Sequence, residues 1–176
     1  LDAVLENLQA RPLDRVIDGT LGAGGHSAAL LERGAGEVLG LDCDPMALEI
    51  ARANLAPYGD RAHLVHASYT EMAAQAARLG WDSVDAILLD LGVSSMQLDT
   101  AERGFAFRSE GPLDMRFDAG GSLPTAADLV NTLDERELAD IFFRYGEERD
   151  SRRIARAVVH GRPYATTRDL ASAIER

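Results

Sequence analysis

The residues best suited to chemistry begin with a glycine run between acids, Asp18-Gly19-Thr20-Leu21-Gly22-Ala23-Gly24-Gly25-His26, set between two apolar stretches. Glycine lets the backbone approach a ligand closely and adopt angles closed to other residues. A glycine turn between a strand and a helix is also where α/β sheets meet nucleotide-like ligands. Asp42 closes the next apolar run, 20 residues beyond Gly22, and a carboxylate there can accept two hydrogen bonds from a ribose diol. A tight structural turn beside a solvated aspartate would read the same way. Two details favour S-adenosylmethionine over a nicotinamide dinucleotide. The glycines run G-x-G-G rather than G-x-G-x-x-G, which leaves the phosphate-cradling turn unmade. Asp18 precedes them at a strand end, where its carboxylate would repel a pyrophosphate but face the cationic amino or sulfonium group of the methyl donor.

A second constellation is Asp90-Leu91-Gly92-Val93-Ser94-Ser95-Met96-Gln97. Methyl transfer to an exocyclic amine needs an acceptor that orients the amine and relieves its positive charge. Asp90, at the end of a fourth apolar run, is placed to do this or to hold the donor, and Gln97 offers both a donor and an acceptor. A capped turn in which Asp90 and Ser94 bond only to local backbone uses the same residues. Phe105 and Phe107 either stack on an unpaired base or anchor a long loop. Arg149, Arg152, Arg153 and Arg156 share a helical face that grips phosphates or is solvated beside Glu147 and Glu148. His63 and His66 read as structural, and no cluster of His, Asp and Glu has metal spacing, so no metal is expected.

The elements that must position these residues follow from the hydrophobic pattern. Residues 15–18, 37–42, 62–66 and 84–90 read as buried strands, the last apolar enough to be central. Asp44 and Pro45 start a helix with Ala47, Ile50, Ala51 and Leu55 along one stripe. Strands alternating with helices imply a parallel sheet covered on both faces. Residues 91–125 are irregular and long for an idle loop. From Thr125 on the pattern is helical, with Asp134 and Glu137 as a capping-box start and further helices at 151–160 and 167–176. Two domains are expected: a Rossmann-like ligand-binding part at 1–100, then a connecting loop and helical part at 101–176.

Net charge is −11, which argues against phosphate contacts, but the distribution is uneven. Residues 1–100 hold 6 Arg against 15 acids, whereas residues 101–176 hold 12 Arg against 14 acids. The single cysteine, Cys43, excludes an internal disulfide framework and a cysteine-rich zinc site. There is no leader-like start and no apolar run of membrane length, so a soluble cytoplasmic protein with no membrane partner is expected.

The motifs as a set are more specific. Asp18-Gly-Thr-Leu-Gly-Ala-Gly-Gly-His-Ser27 followed by Asp90-Leu-Gly-Val-Ser-Ser-Met-Gln-Leu-Asp99 resembles the bacterial 16S rRNA cytosine-N4 methyltransferase family (RsmH, also called MraW). Glu102-Arg-Gly-Phe-Ala-Phe107, Gly111-Pro-Leu-Asp-Met-Arg116, Tyr145-Gly-Glu-Glu-Arg149, Arg153-Ile-Ala-Arg-Ala157 and Thr166-Thr-Arg-Asp-Leu170 continue the match in family order. The resemblance implies an incomplete Rossmann-like class I S-adenosylmethionine-dependent sheet with an inserted helical substrate domain. It implies methylation of the N4 amine of a cytidine in the decoding region of 16S rRNA, within the small ribosomal subunit. Gly24, Gly25 and His26 would line the donor pocket, Asp42 would hold the ribose, and Tyr69, where the family usually has Phe, would lie beside the adenine. Asp90 and Gln97 would complete the donor set; the chemistry of the amine separately makes Asp90, or a backbone carbonyl just after it, the expected catalytic acceptor of the departing proton. Met96 stands where the family usually has Pro, and Ala106 where it usually has Ser. The family's opening His-x-Pro-Val and later Phe-His-Ser-Leu-Glu-Asp-Arg segments have no counterpart, so a fragment lacking both ends is expected. The rival readings are a nicotinamide-dependent oxidoreductase and a module that binds the donor without transferring its methyl.

Overall fold

Short runs of Val, Ile and Leu separated by helical segments bury both faces of a strand inside a parallel sheet. In the computed structural model, which describes residues 2–8 and 12–175, they form one. β1 (Arg15–Asp18), β2 (Glu37–Asp42), β3 (Ala62–His66) and β4 (Ala86–Leu88) lie in the order β3-β2-β1-β4. Every ladder is parallel, with Ile17 opposite Leu39 and Ile87, and Leu39 opposite His63.

The period of two along each strand sorts its side chains into two layers. Val16 and Val38 pack with Leu30 and Leu31 of α2 (Gly25–Glu32) and with Leu48 and Leu55 of α3 (Pro45–Leu55). Leu5 of α1 (Asp2–Leu8) joins the same cluster. Ile17, Leu39 and Leu41 face the other way, toward Ala76 of α4 (Met72–Arg78) and toward Trp81, which lies beyond that helix. The start of α3 is as the sequence predicts: Asp44 caps it by accepting the Met46 N–H at 3.0 Å, with Pro45 in the first turn.

β4 is shorter than the apolar run at 84–90, and it is the outer strand of this sheet rather than a central one. It pairs with β1 alone among the described residues, and Ile87 is 49% exposed. The ladder begins only after Asp85, whose carboxylate takes the N–H groups of Asp14 and Arg15, at 2.8 and 2.9 Å. The chain runs outward from β1 to β2 and β3, then returns to the other side of β1 for β4. Strand order therefore reverses between β1 and β4, and the carboxyl ends of strands at such a reversal are where open α/β sheets bind ligands.

The chain divides into two compact units, one ending at Gly92 and the other starting at Val93, ahead of the boundary near residue 100 that the sequence suggests. The second unit holds α5 (Ser95–Asp99), α6 (Ala126–Thr132), α7 (Glu135–Gly146), α8 (Ser151–His160) and α9 (Thr167–Ile174). Ser94, Thr125, Asp134 and Thr166 each form a capping box with the residue three positions on, which satisfies N–H groups that a helix start leaves open. Leu113, Val130, Leu138, Ala155, Val158 and Tyr164 make its core. The irregular stretch before α6 is tied down by buried Arg103, which donates to the carbonyls of Arg116 and Phe117 at 3.0 and 2.8 Å. Arg116 in turn donates to both oxygens of Asp114 at 2.8 and 2.7 Å and holds that carboxyl below the usual range. The expected last helix ends at Ile174, and Arg176 lies outside the described residues. No helix among the described residues is long and apolar enough to cross a membrane.

Leu48 is completely buried between α3 and the sheet. Leu48→Ala should lower the unfolding free energy by about 3 kcal/mol, from lost transfer energy plus the cavity left behind. Urea denaturation reads this directly, and a loss below about 1 kcal/mol would mean the layer is not packed as described.

Candidate ligand site at the carboxyl edge of the sheet

Parallel strands all end on one edge, so residues following β1, β2, β3 and β4 meet there although the sequence spreads them widely. The glycine turn after β1 is the meeting point. Asp42, at the end of β2, accepts the Gly22 N–H with Oδ2 at 2.7 Å and the Asp44 N–H with Oδ1 at 2.9 Å. The spacing of 20 residues noted in the sequence is thus a direct contact. Each oxygen keeps another lone pair, and the side chain is only half-buried, so the carboxylate can still accept from a diol.

Tyr69 opens a short turn after β3 (Tyr69–Glu71) and is 39% exposed. It closes on the same turn: a Cβ added to Gly19 would lie 3.0 Å from Tyr69 Cβ and 2.6 Å from Leu89 Cδ2. From the far side, the Gly19 N–H donates to the Leu88 carbonyl at 2.9 Å. Asp90, exposed just past β4, donates its N–H to Thr20 Oγ1 at 2.7 Å. The local-turn reading of Asp90 therefore fails for its backbone, which bonds across 70 residues.

Gly24 and Gly25 are glycines for different reasons. Gly24 caps α2 with φ +84° and lies against Leu55, so the fold itself requires it. Gly25 has no left-handed angle and no protein atom within 4 Å of where a Cβ would stand. Nothing in the fold demands a glycine at 25, and the space in front of its backbone is open. His26 follows, half-exposed in the first turn of α2.

Asp18 does not face a ligand, contrary to the expectation from its position. Its side chain is fully buried and accepts from Ser27 Oγ at 2.7 Å and the Thr20 N–H at 3.3 Å. Ser27 lies one turn into α2, on its buried side, and draws the carboxylate inward. Gln97 belongs to the second unit, where it is buried. Its amide oxygen accepts the Ser94 N–H at 3.0 Å, and its own N–H donates to Ser94 Oγ at 3.2 Å.

Other candidates divide between the two readings offered for them. His63 bonds Glu37 at 2.7 Å beside Trp81, and His66 bonds the Cys43 carbonyl at 2.9 Å, both structural contacts. Phe105 packs on Phe117 at a centroid distance of 5.5 Å, an anchor, while Phe107 is 76% exposed. Arg153 and Arg156 pair with Asp150 and Glu135, and Arg149 precedes α8. No group of three or more His, Cys, Asp or Glu among the described residues is arranged to hold a metal ion. No local pattern marks Thr20, Ser27 or Gly19 as site residues. Thr20 and Ser27 lie inside the glycine motif, but their partners become visible only when β4 and α2 are folded against it.

A parallel α/β sheet whose strand order reverses at a glycine turn defines a Rossmann-like domain. The model of the MraW methylase family matches residues 1–176, and the chain belongs to that family. A Nitratidesulfovibrio vulgaris protein called ribosomal RNA small subunit methyltransferase H is 50% identical over 100% of this chain and 50% of its own length. The Caulobacter vibrioides protein of the same name is 54% identical over 100% of this chain and 55% of its own. Among solved structures, an rRNA methylase from Streptococcus thermophilus is 21% identical over 76% of this chain and 80% of its own, with a TM-score of 0.43. The chain spans about half the length of the curated relatives it matches.

Burial pushes the Asp18 carboxyl above its ordinary value, and the bonds from Ser27 and Thr20 only partly offset this. The native state then holds a proton that the unfolded chain has already lost. Between the ordinary and the raised value, stability contributed by this group falls as pH rises. Asp18→Asn has no such proton, so its stability relative to wild type should climb with pH through that window and level off above it. Urea melts of both proteins across pH test this, and a difference flat with pH would contradict it.

Proposed function

We propose that this chain is the donor-binding portion of an S-adenosylmethionine-dependent methyltransferase that modifies the N4 amine of a cytidine in the decoding region of 16S rRNA. Its substrate is that RNA within the small ribosomal subunit, in the cytoplasm. The observation that carries the reading is the convergence of Gly25, Asp42, Tyr69 and Asp90 on one turn at the strand-order reversal, in a chain of the MraW methylase family. Family membership also speaks against the nicotinamide reading.

The residues present suit this donor. Asp42 has lone pairs for a ribose diol, Tyr69 offers an exposed aromatic surface for an adenine, and Gly25 with His26 borders open space for the amino-acid end. Bound there, S-adenosylmethionine would supply an electrophilic methyl group for direct attack by an exocyclic amine, with S-adenosylhomocysteine as the leaving group. The cytosine ring withdraws the lone pair of N4, so the protein must align the amine and accept its proton. Asp90 is an exposed carboxylate held at the strand end by its own backbone, and it takes that proton or orients the amine for it. The second unit, with exposed Phe107 and the arginines of α8, supplies recognition of RNA.

Gly25→Ala should leave the fold stable, since its Cβ meets no protein atom, yet weaken donor binding about tenfold or more by filling the ligand's space. Calorimetric titration with S-adenosylmethionine measures it, and unchanged affinity would place the donor elsewhere. Asp90→Ala should lower methyl transfer by about 100-fold or more. The assay incubates the full-length protein with labelled donor and small ribosomal subunits lacking the modification, with naked rRNA alongside. Label on cytosine N4 in wild-type reactions supports the proposal. Donor binding without transfer to either RNA form would favour the non-catalytic module.

A further inference from the structure

Asp90 lies beyond the last residue of the β1–β4 ladder, which pairs Asp18 with Leu88. The regular sheet bonding that holds the strand therefore stops before the residue whose position matters most. The bond that takes over comes from a side chain: Thr20 Oγ1 accepts the Asp90 N–H at 2.7 Å. Thr20 is itself held, since its own N–H donates to Asp18 Oδ1 at 3.3 Å and the other Asp18 oxygen accepts from Ser27 Oγ at 2.7 Å. Asp18 and Ser27 are completely buried. A chain of hydrogen bonds thus runs from the interior of α2, through the glycine turn, to the backbone of Asp90.

We infer that Thr20 is a positioning residue for the transfer reaction: its hydroxyl sets the backbone of Asp90, and so the reach of its carboxylate, relative to the turn that borders the donor. The inference rests on the reading of Asp90 given above. A threonine suits the task because its branched Cβ restricts χ1, so the oxygen arrives already aimed. The same bond makes the turn and the acceptor move as one body. Transfer that depends on alignment is sensitive to shifts of about 1 Å at the acceptor, whereas binding of the donor to Asp42 and Gly25 needs no contact with Thr20.

The test uses the full-length protein with three substitutions. Thr20→Val keeps the shape and removes the acceptor oxygen, and Thr20→Ser keeps the oxygen. Thr20→Ala, at a half-buried position, serves if the valine variant does not fold. The valine variant should lose about tenfold or more in kcat while KM for S-adenosylmethionine moves by less than about threefold. The serine variant should stay within about threefold of wild type, and hydrogen exchange at the Asp90 amide should be faster in the valine variant than in the serine one. Wild-type kcat in the valine variant, a change confined to KM, or a serine variant as impaired as the valine one overturns the inference. A wild-type protein that transfers no methyl removes the reading of Asp90 and this inference together. An active wild type indifferent to Thr20 removes the inference alone.

Discussion

A carboxylate sealed from water, that of Asp18, shapes the turn on which every other group at the sheet edge depends. Buried carboxylates are tolerated when hydrogen bonds replace the lost water, and here the replacements are specific: a hydroxyl from α2 and a backbone N–H from the turn. These bonds draw the start of α2 and the first residues of the turn onto the end of β1. With that corner set, the Gly22 N–H points to Asp42 and the Thr20 hydroxyl meets Asp90. The glycine turn is thus held at three strand ends by side-chain acceptors, together with backbone bonds from Gly19 to Leu88 and from Leu21 to Leu41.

The arrangement separates buried supporting groups from exposed ones. Asp18, Ser27 and Gly24 are buried and concerned with the fold, while Asp42, Tyr69 and Asp90 keep a face toward solvent. Rigid support beneath exposed functional groups is what alignment-dependent chemistry requires. Asp42 does both: its bonds to Gly22 and Asp44 stabilise the turn and leave lone pairs available. The second unit follows a similar economy in its long irregular stretch. Arg103 and the Arg116–Asp114 pair replace regular secondary structure there with charge-assisted bonds to carbonyls and carboxylates.

Much of this was legible in the residues. β1, β2 and β3 fall at 15–18, 37–42 and 62–66 as read, because runs of Val, Ile and Leu bounded by Gly, Pro and Asp leave little choice of strand. The helix starts at Asp44, Thr125 and Asp134 are visible because a cap is a local event, a side chain reaching two or three residues along. The pairing of Asp42 with the glycine turn was also foreseeable, since consecutive parallel strands bring their ends together. The extent and place of β4 were not, because an apolar run looks alike in a central or an outer strand, and the Asp85 carboxylate takes up N–H groups of Asp14 and Arg15 just before the ladder through long-range bonds.

Local pattern, then, was enough to establish the layered α/β architecture and to mark the glycine turn as the candidate site. It could not say which carboxylate faces inward. Asp18 and Asp42 occupy equivalent strand ends in the sequence, yet one is sealed by Ser27 while the other remains half-exposed. Nor could it show that Thr20 carries Asp90, a bond across 70 residues. Side-chain direction and long-range partners arise from how helices pack on the sheet, and packing is a property of the whole folded layer rather than of any stretch of chain.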